Sequence, residues 1–134
     1  MNTTRRWWLV MLVVMSVMSA VVACQRNRLE STDEGITVVV EPMPPRTGEP
    51  TTVTITLRDA EGAPVSGMTL EIEGNMNHAG MKPVIVQAEE VEPGRYVATL
   101  TFTMGGDWFI AVRGTWPDGR PFEHTVDVPG VRAK

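Results

Sequence analysis

From Ile36 onward, apolar and polar residues alternate in short runs broken by Pro, Gly and Asp, the two-residue period of strands with one buried face. Thr51–Arg58 is the clearest case: Val53, Ile55 and Leu57 share one parity and are expected inward, with the threonines outward. Met68–Glu73 repeats the pattern with Met68, Leu70 and Ile72. Tyr96, Ala98, Leu100 and Phe102 share a parity in the run that they span. Ile36–Glu41, Val84–Val86, Trp108–Arg113 and Pro121–Val128 supply the remaining apolar runs, and no stretch keeps a helical period. About seven short strands over residues 36–130 predict an all-β domain, an immunoglobulin-like antiparallel β-sandwich. Pro93-Gly94-Arg95-Tyr96 fits a tyrosine corner, with the hydroxyl bonded back to the turn before it, and equally an ordinary half-buried strand tyrosine.

The pattern before Ile36 is different. Arg5 and Arg6 precede an almost unbroken apolar run from Trp7 to Ala23, which is short for the roughly 20 residues of a comfortable membrane span. It is expected to be a signal peptide over residues 1–23. Val21-Val22-Ala23-Cys24 resembles a bacterial lipobox, and Cys24 is the only cysteine, standing where the apolar run stops. Cys24 is therefore the expected lipidation site, the alternative being a free thiol at the end of an uncleaved anchor. Either way the domain is expected outside the cytoplasm, tethered to the cell membrane or outer membrane of a bacterium. The polar stretch 24–35, with Leu29 its only large apolar residue, is expected to be a flexible tether.

Charge narrows the partners. Removing Arg5 and Arg6 takes the formal net charge from −4 to −6, so the mature chain is acidic. It has no run of Lys or Arg, which argues against nucleic acid and leaves no polybasic patch for anionic lipid. A single cysteine forms no internal disulfide, so the apolar core must suffice.

Candidate chemistry concentrates in Gly74-Asn75-Met76-Asn77-His78-Ala79-Gly80-Met81-Lys82-Pro83, where glycines and a proline predict a loop. Met76, His78 and Met81 offer two thioethers and an imidazole, a donor set that suits Cu(I) better than a hard cation. Outside the cytoplasm thioethers also avoid the oxidation to which exposed thiols are open. Met104, at the end of the strand that carries Leu100 and Phe102, is the fourth candidate ligand, provided that antiparallel connectivity brings its turn to the loop. Met43 and Met68 read as packing residues, and His124, on the parity of Phe122 and Val126, as a hydrogen-bonded core or rim residue. Asp107 suits a turn cap and Trp108 a core anchor. Catalytic constellations are missing: the only serines after residue 23 are Ser31 and Ser66, Glu71 and Glu73 read as solvated, and Glu89, Glu90 and Glu92 as an acidic loop with no base. The protein is not expected to be an enzyme. It is expected to buffer Cu(I) or pass it to an acceptor. The alternative is a non-metal module whose adaptable methionine surface contacts an envelope protein.

Three segments carry a family resemblance: Asn75-Met76-Asn77-His78-Ala79-Gly80-Met81, Pro93-Gly94-Arg95-Tyr96, and Phe102-Thr103-Met104-Gly105-Gly106-Asp107-Trp108. Over Ile36–Val128 the chain resembles the YtkA-like domain family, relatives of which occur in FixH-type proteins. The resemblance implies a small membrane-associated β-sandwich outside the cytoplasm, linked to copper handling or to respiratory-oxidase assembly. It maps the Met/His loop onto Met76, His78 and Met81, and the turn onto Met104 and Trp108. FixH-type proteins keep a transmembrane helix where this chain has its lipobox.

Overall fold

The alternating runs form eight strands: β1 (Leu29–Asp33), β2 (Ile36–Glu41), β3 (Pro50–Leu57), β4 (Leu70–Asn75), β5 (Val84–Glu92), β6 (Arg95–Thr101), β7 (Gly106–Thr115) and β8 (Pro121–Val131). The structure, a computed structural model, describes residues 27–134; the expected signal peptide and Cys24 lie outside the described residues. All neighbouring strands are antiparallel, in the order β1-β2-β3-β6-β5-β4-β7-β8.

β5 is the corner of this sheet. Its first half, Val84 to Ala88, pairs with β4, and Glu89 to Glu92 pair with β6, with a register shift between Glu90 and Glu92. Two faces result. β2, β3, β6 and the second half of β5 occupy the places of strands A, B, E and D of an immunoglobulin domain, and β4, β7 and β8 those of C, F and G. The opposite ends of the sheet approach one another, and Ser31 Oγ of β1 lies 3.1 Å from His124 Nε2 of β8 across the seam, so the sheet is nearly a closed barrel. His124 is the buried, hydrogen-bonded residue that its parity predicts.

The core follows the alternation. Val38 and Val40, Val53, Ile55 and Leu57, Leu70 and Ile72, Leu100, Ile110 and Val112, and Val128 are all fully buried between the two faces. Phe102 and Trp108 meet edge to face, with ring centroids 5.0 Å apart, and close the core at one end.

The structure corrects the sequence reading in several places. Residues 29–33, expected within the flexible tether, are β1. Its composition is polar because its stabilisation comes from backbone pairing along β2 and from Leu29, which packs against the core. Thr51 is not outward: it shares the parity of Val53 and is buried. Glu71 and Glu73 are not simply solvated, since Arg113 on β7 lies between Glu73 and Glu123, with Glu71 Oε1 at 3.8 Å. The Arg113 hydrogen bond holds the Glu73 carboxyl below the usual glutamate range. Residues 89–92 are strand rather than loop, and the Glu90 carboxylate accepts hydrogen bonds from Gly67 N–H (3.0 Å) and Gly94 N–H (3.1 Å). Tyr96 does not close a tyrosine corner on the turn before it. Its hydroxyl donates to Val65 C=O (2.8 Å) and accepts from Met68 N–H (3.1 Å), pinning the connection between β3 and β4 instead.

Strand direction sorts the connections into two ends. Residues 42–49, 76–83, 102–105 and 132–134 lie together with Asn27 at one end; 58–69, 116–120 and the turns at Gly35 and Gly94 lie at the other.

Candidate metal centre

The four expected metal ligands all fall at the first end. β4 delivers the chain into the loop, and at its last residue Asn75 accepts the Met76 N–H on Oδ1 (2.8 Å) while its amide donates to Glu73 Oε1 (3.0 Å). Met76 is therefore held from its first atom. Its side chain is half-buried against the core, as is that of Met81. His78 is exposed between them, and its carbonyl accepts the Met81 N–H at 3.5 Å across the Gly80 bend, where φ is +83°. Gly80 has the positive φ that folds Met81 back.

Met104 sits on the β6–β7 turn, 49% exposed. The buried indole of Trp108 donates from Nε1 to Met104 C=O at 2.9 Å, so the core anchor also fixes this turn. Asp107 does not cap the turn as expected; its Oδ1 accepts Gly130 N–H (2.9 Å) and ties the turn to the end of β8. Gly48 N–H donates to Phe102 C=O (3.0 Å), and Arg132 N–H to Pro45 C=O (2.9 Å), which joins the β2–β3 connection and the C-terminal tail to the same platform.

Loop and turn meet at Gly106. A side-chain Cβ at that position would stand 3.0 Å from Met76 Cε, so the glycine leaves room for the thioether methyl beside the Met104 turn. Met43, read from sequence as a packing residue, lies half-buried against the core at this same end; nothing local marks it, because its neighbourhood is set by the β2–β3 connection. Met68 is at the opposite end and does pack against the core.

Among the described residues, no three His, Cys, Asp or Glu side chains gather to hold a metal ion, so a centre at this end would rest on thioethers and the one imidazole. Beside the loop lies an open hollow of about 320 Å³, lined by Asn77, Asp107, Trp108, Phe109, Asp127 and Pro129. A larger hollow, about 900 Å³, lies at the other end between Arg58, Asp59, Trp116 and Arg120, away from the methionines.

No curated protein matches the chain. Among solved structures, a superoxide reductase (neelaredoxin) from Ignicoccus hospitalis matches over 81% of each chain at 11% identity, with a TM-score of 0.43, a likeness too slight to bear on fold or function. The family comparison is of another kind. The YtkA-like model matches residues 28–113, a span that opens just before β1 and takes in both the Met/His loop and the Met104–Trp108 turn. The chain belongs to the YtkA-like family.

Proposed function

We propose that this protein is a lipid-anchored domain outside the cytoplasm, held to the membrane at Cys24, that binds Cu(I) through Met76, His78, Met81 and Met104 for buffering or transfer. The observation that carries the reading is the meeting of Met76 with the Met104 turn at Gly106, which joins two segments that are remote in sequence. The chemistry of the donors supports it further. Thioethers and imidazole are soft to borderline ligands, and among the described residues no cluster of carboxylates competes for a hard cation. An exposed imidazole and an exposed thioether, beside two half-buried thioethers, suit a cargo ion that must leave again. Membership of the YtkA-like family is compatible with this role. The chain acts as a carrier rather than a catalyst.

The test is titration of the protein with Cu(I) against a competing chelator. Stoichiometric binding is expected, weakened at least tenfold in Met76→Ala and His78→Ala, and weakened as pH falls because the imidazole must be deprotonated to ligate. Absent binding, or affinity unchanged in both variants, rejects the metal centre. A second reading, an apolar contact surface for an envelope protein, is favoured by the 49% exposure of Met104. Capture of a partner that persists under a strong Cu(I) chelator and is lost in Met104→Asp distinguishes it.

A further inference from the structure

Beside the methionine loop, the outer surface of β4, β7 and β8 is acidic around one aromatic ring. Trp108 and Ile110 point into the core, so Asp107 and Phe109 stand on the opposite face of β7. Phe109 pairs with Asn75 of β4 on one side and with Asp127 of β8 on the other, and side chains so opposed stand about 5 Å apart. This row borders the hollow of about 320 Å³, whose apolar lining is Trp108, Phe109 and Pro129 and whose polar lining is Asn77, Asp107 and Asp127. Asn77 stands between Met76 and His78, so the hollow and the candidate copper loop share a wall.

No cation lines this hollow. Asp107 uses Oδ1 to accept Gly130 N–H, Asp127 is exposed, and neither carboxylate forms an ion pair among the described residues. The other charged residues of β4, β7 and β8 are Glu71, Glu73 and Glu123 and the guanidinium of Arg113, which those three carboxylates already surround. The tail with Arg132 and Lys134 runs back to the β2–β3 connection, where Arg132 N–H reaches Pro45 C=O and Lys134 N–H reaches Thr47 Oγ1. Lys82 stands past Gly80, on the limb of the loop that leads into β5. Two carboxylates are too few for a hard metal ion, and among the described residues no third joins them. An aromatic wall between two unpaired carboxylates fits a flat cation instead: a guanidinium stacks its face on the ring and turns its N–H fork to the acids. We propose that this hollow is the docking point for an arginine of a protein partner with a basic surface, seated beside Met76 and His78. Ile85, 54% exposed on the neighbouring strand β5, gives that partner an apolar contact on the same face. A second copy is the wrong occupant, because a chain with a net charge of −4 repels its own kind on approach. That the partner exchanges copper with the loop rests on the proposed function; the docking itself does not.

The probe is the peptide acetyl-Leu-Arg-Leu-amide, added to the metal-free full chain in dodecyl maltoside micelles and followed by backbone amide NMR shifts. The same peptide with citrulline in place of arginine keeps the shape and lacks the charge. Saturable shifts centred on Asn77, Asp107, Phe109 and Asp127 are expected, with affinity at least fivefold weaker for the citrulline peptide and for the chain carrying Asp107→Asn with Asp127→Asn. Phe109→Leu keeps the apolar bulk, loses the ring and should weaken binding about threefold. Glu61→Gln with Glu89→Gln removes the same charge elsewhere and should leave the affinity within twofold. Shifts spread evenly over the acidic strands, equal weakening by the two charge-matched pairs, or equal binding of the citrulline peptide overturns the docking site. Self-association in sedimentation that the Asp107→Asn, Asp127→Asn pair abolishes overturns the separate partner in favour of a second copy. Copper is absent throughout, so a chain that takes up Cu(I) and ignores the peptide keeps its metal centre and lacks the docking site, and the reverse result keeps only the docking site.

Discussion

Single residues explain how the methionine end is held. Gly106 has φ of +124°, a conformation that side-chain-bearing residues rarely adopt, and Met76 Cε lies 3.0 Å from where a Cβ would be. Gly106→Ala should cost about 1–3 kcal/mol of stability through the backbone alone. It should also weaken Cu(I) binding although no donor is removed, whereas Gly119→Ala, with open space around it, should leave Cu(I) affinity unchanged. Chelator competition on both variants checks this. Thr51 offers the opposite case. Its hydroxyl is buried among the strands without a hydrogen-bond partner among the described residues, so Thr51→Val removes an unpaired polar group. The variant should gain about 1 kcal/mol in chemical unfolding, and a loss of stability would mean that the hydroxyl is satisfied in solution.

Between elements, the connection from β3 to β4 depends on contacts that come from far along the chain. Tyr96 and Glu90, on neighbouring strands, together take up Val65 C=O and the N–H groups of Gly67, Met68 and Gly94. Burial pushes the Tyr96 hydroxyl upward, so it stays protonated and keeps its donor. The Gly67 and Gly94 amides hold the Glu90 carboxyl below the usual range. A carboxylate with a lowered pKa in the folded state stabilises the fold above its unfolded value of about 4.3, and that contribution is lost as pH falls through the folded value. Glu90→Gln should therefore be less stable than the parent at pH 7, and the difference should narrow between about pH 5 and pH 3. Urea unfolding at both pH values reads it out. A difference that stays constant with pH would show that Glu90 acts through shape and not charge. β1 teaches a related lesson. Its residues are polar enough to read as tether, and it becomes a strand because β2 offers an unpaired edge.

For the whole molecule, the donors proposed for copper lie on two connections, 76–83 and 102–105, that are joined only through the folded sheet. Cu(I) bound across both should stabilise the native state, by about 2.7 kcal/mol at a hundredfold excess over Kd. The unfolding temperature should rise with Cu(I), and the rise should shrink in Met104→Leu. An unfolding temperature indifferent to saturating Cu(I) would place the ion, if bound, on a single loop. What was legible along the chain was what local pattern encodes. Period-2 alternation marked most strands and the all-β class, and Met76, His78 and Met81 stood out because they share one short loop. Alternation reports only the burial of one face, so it carries no strand order, direction or partner. That order decided that β1 is a strand, that Tyr96 reaches Val65, and that Met43 and the Met104 turn share an end with the loop. Apart from β1, which pairs with its neighbour β2 in a local hairpin, each of these depends on contacts between residues far apart in the chain, and such contacts exist only once the sheet has closed around its core.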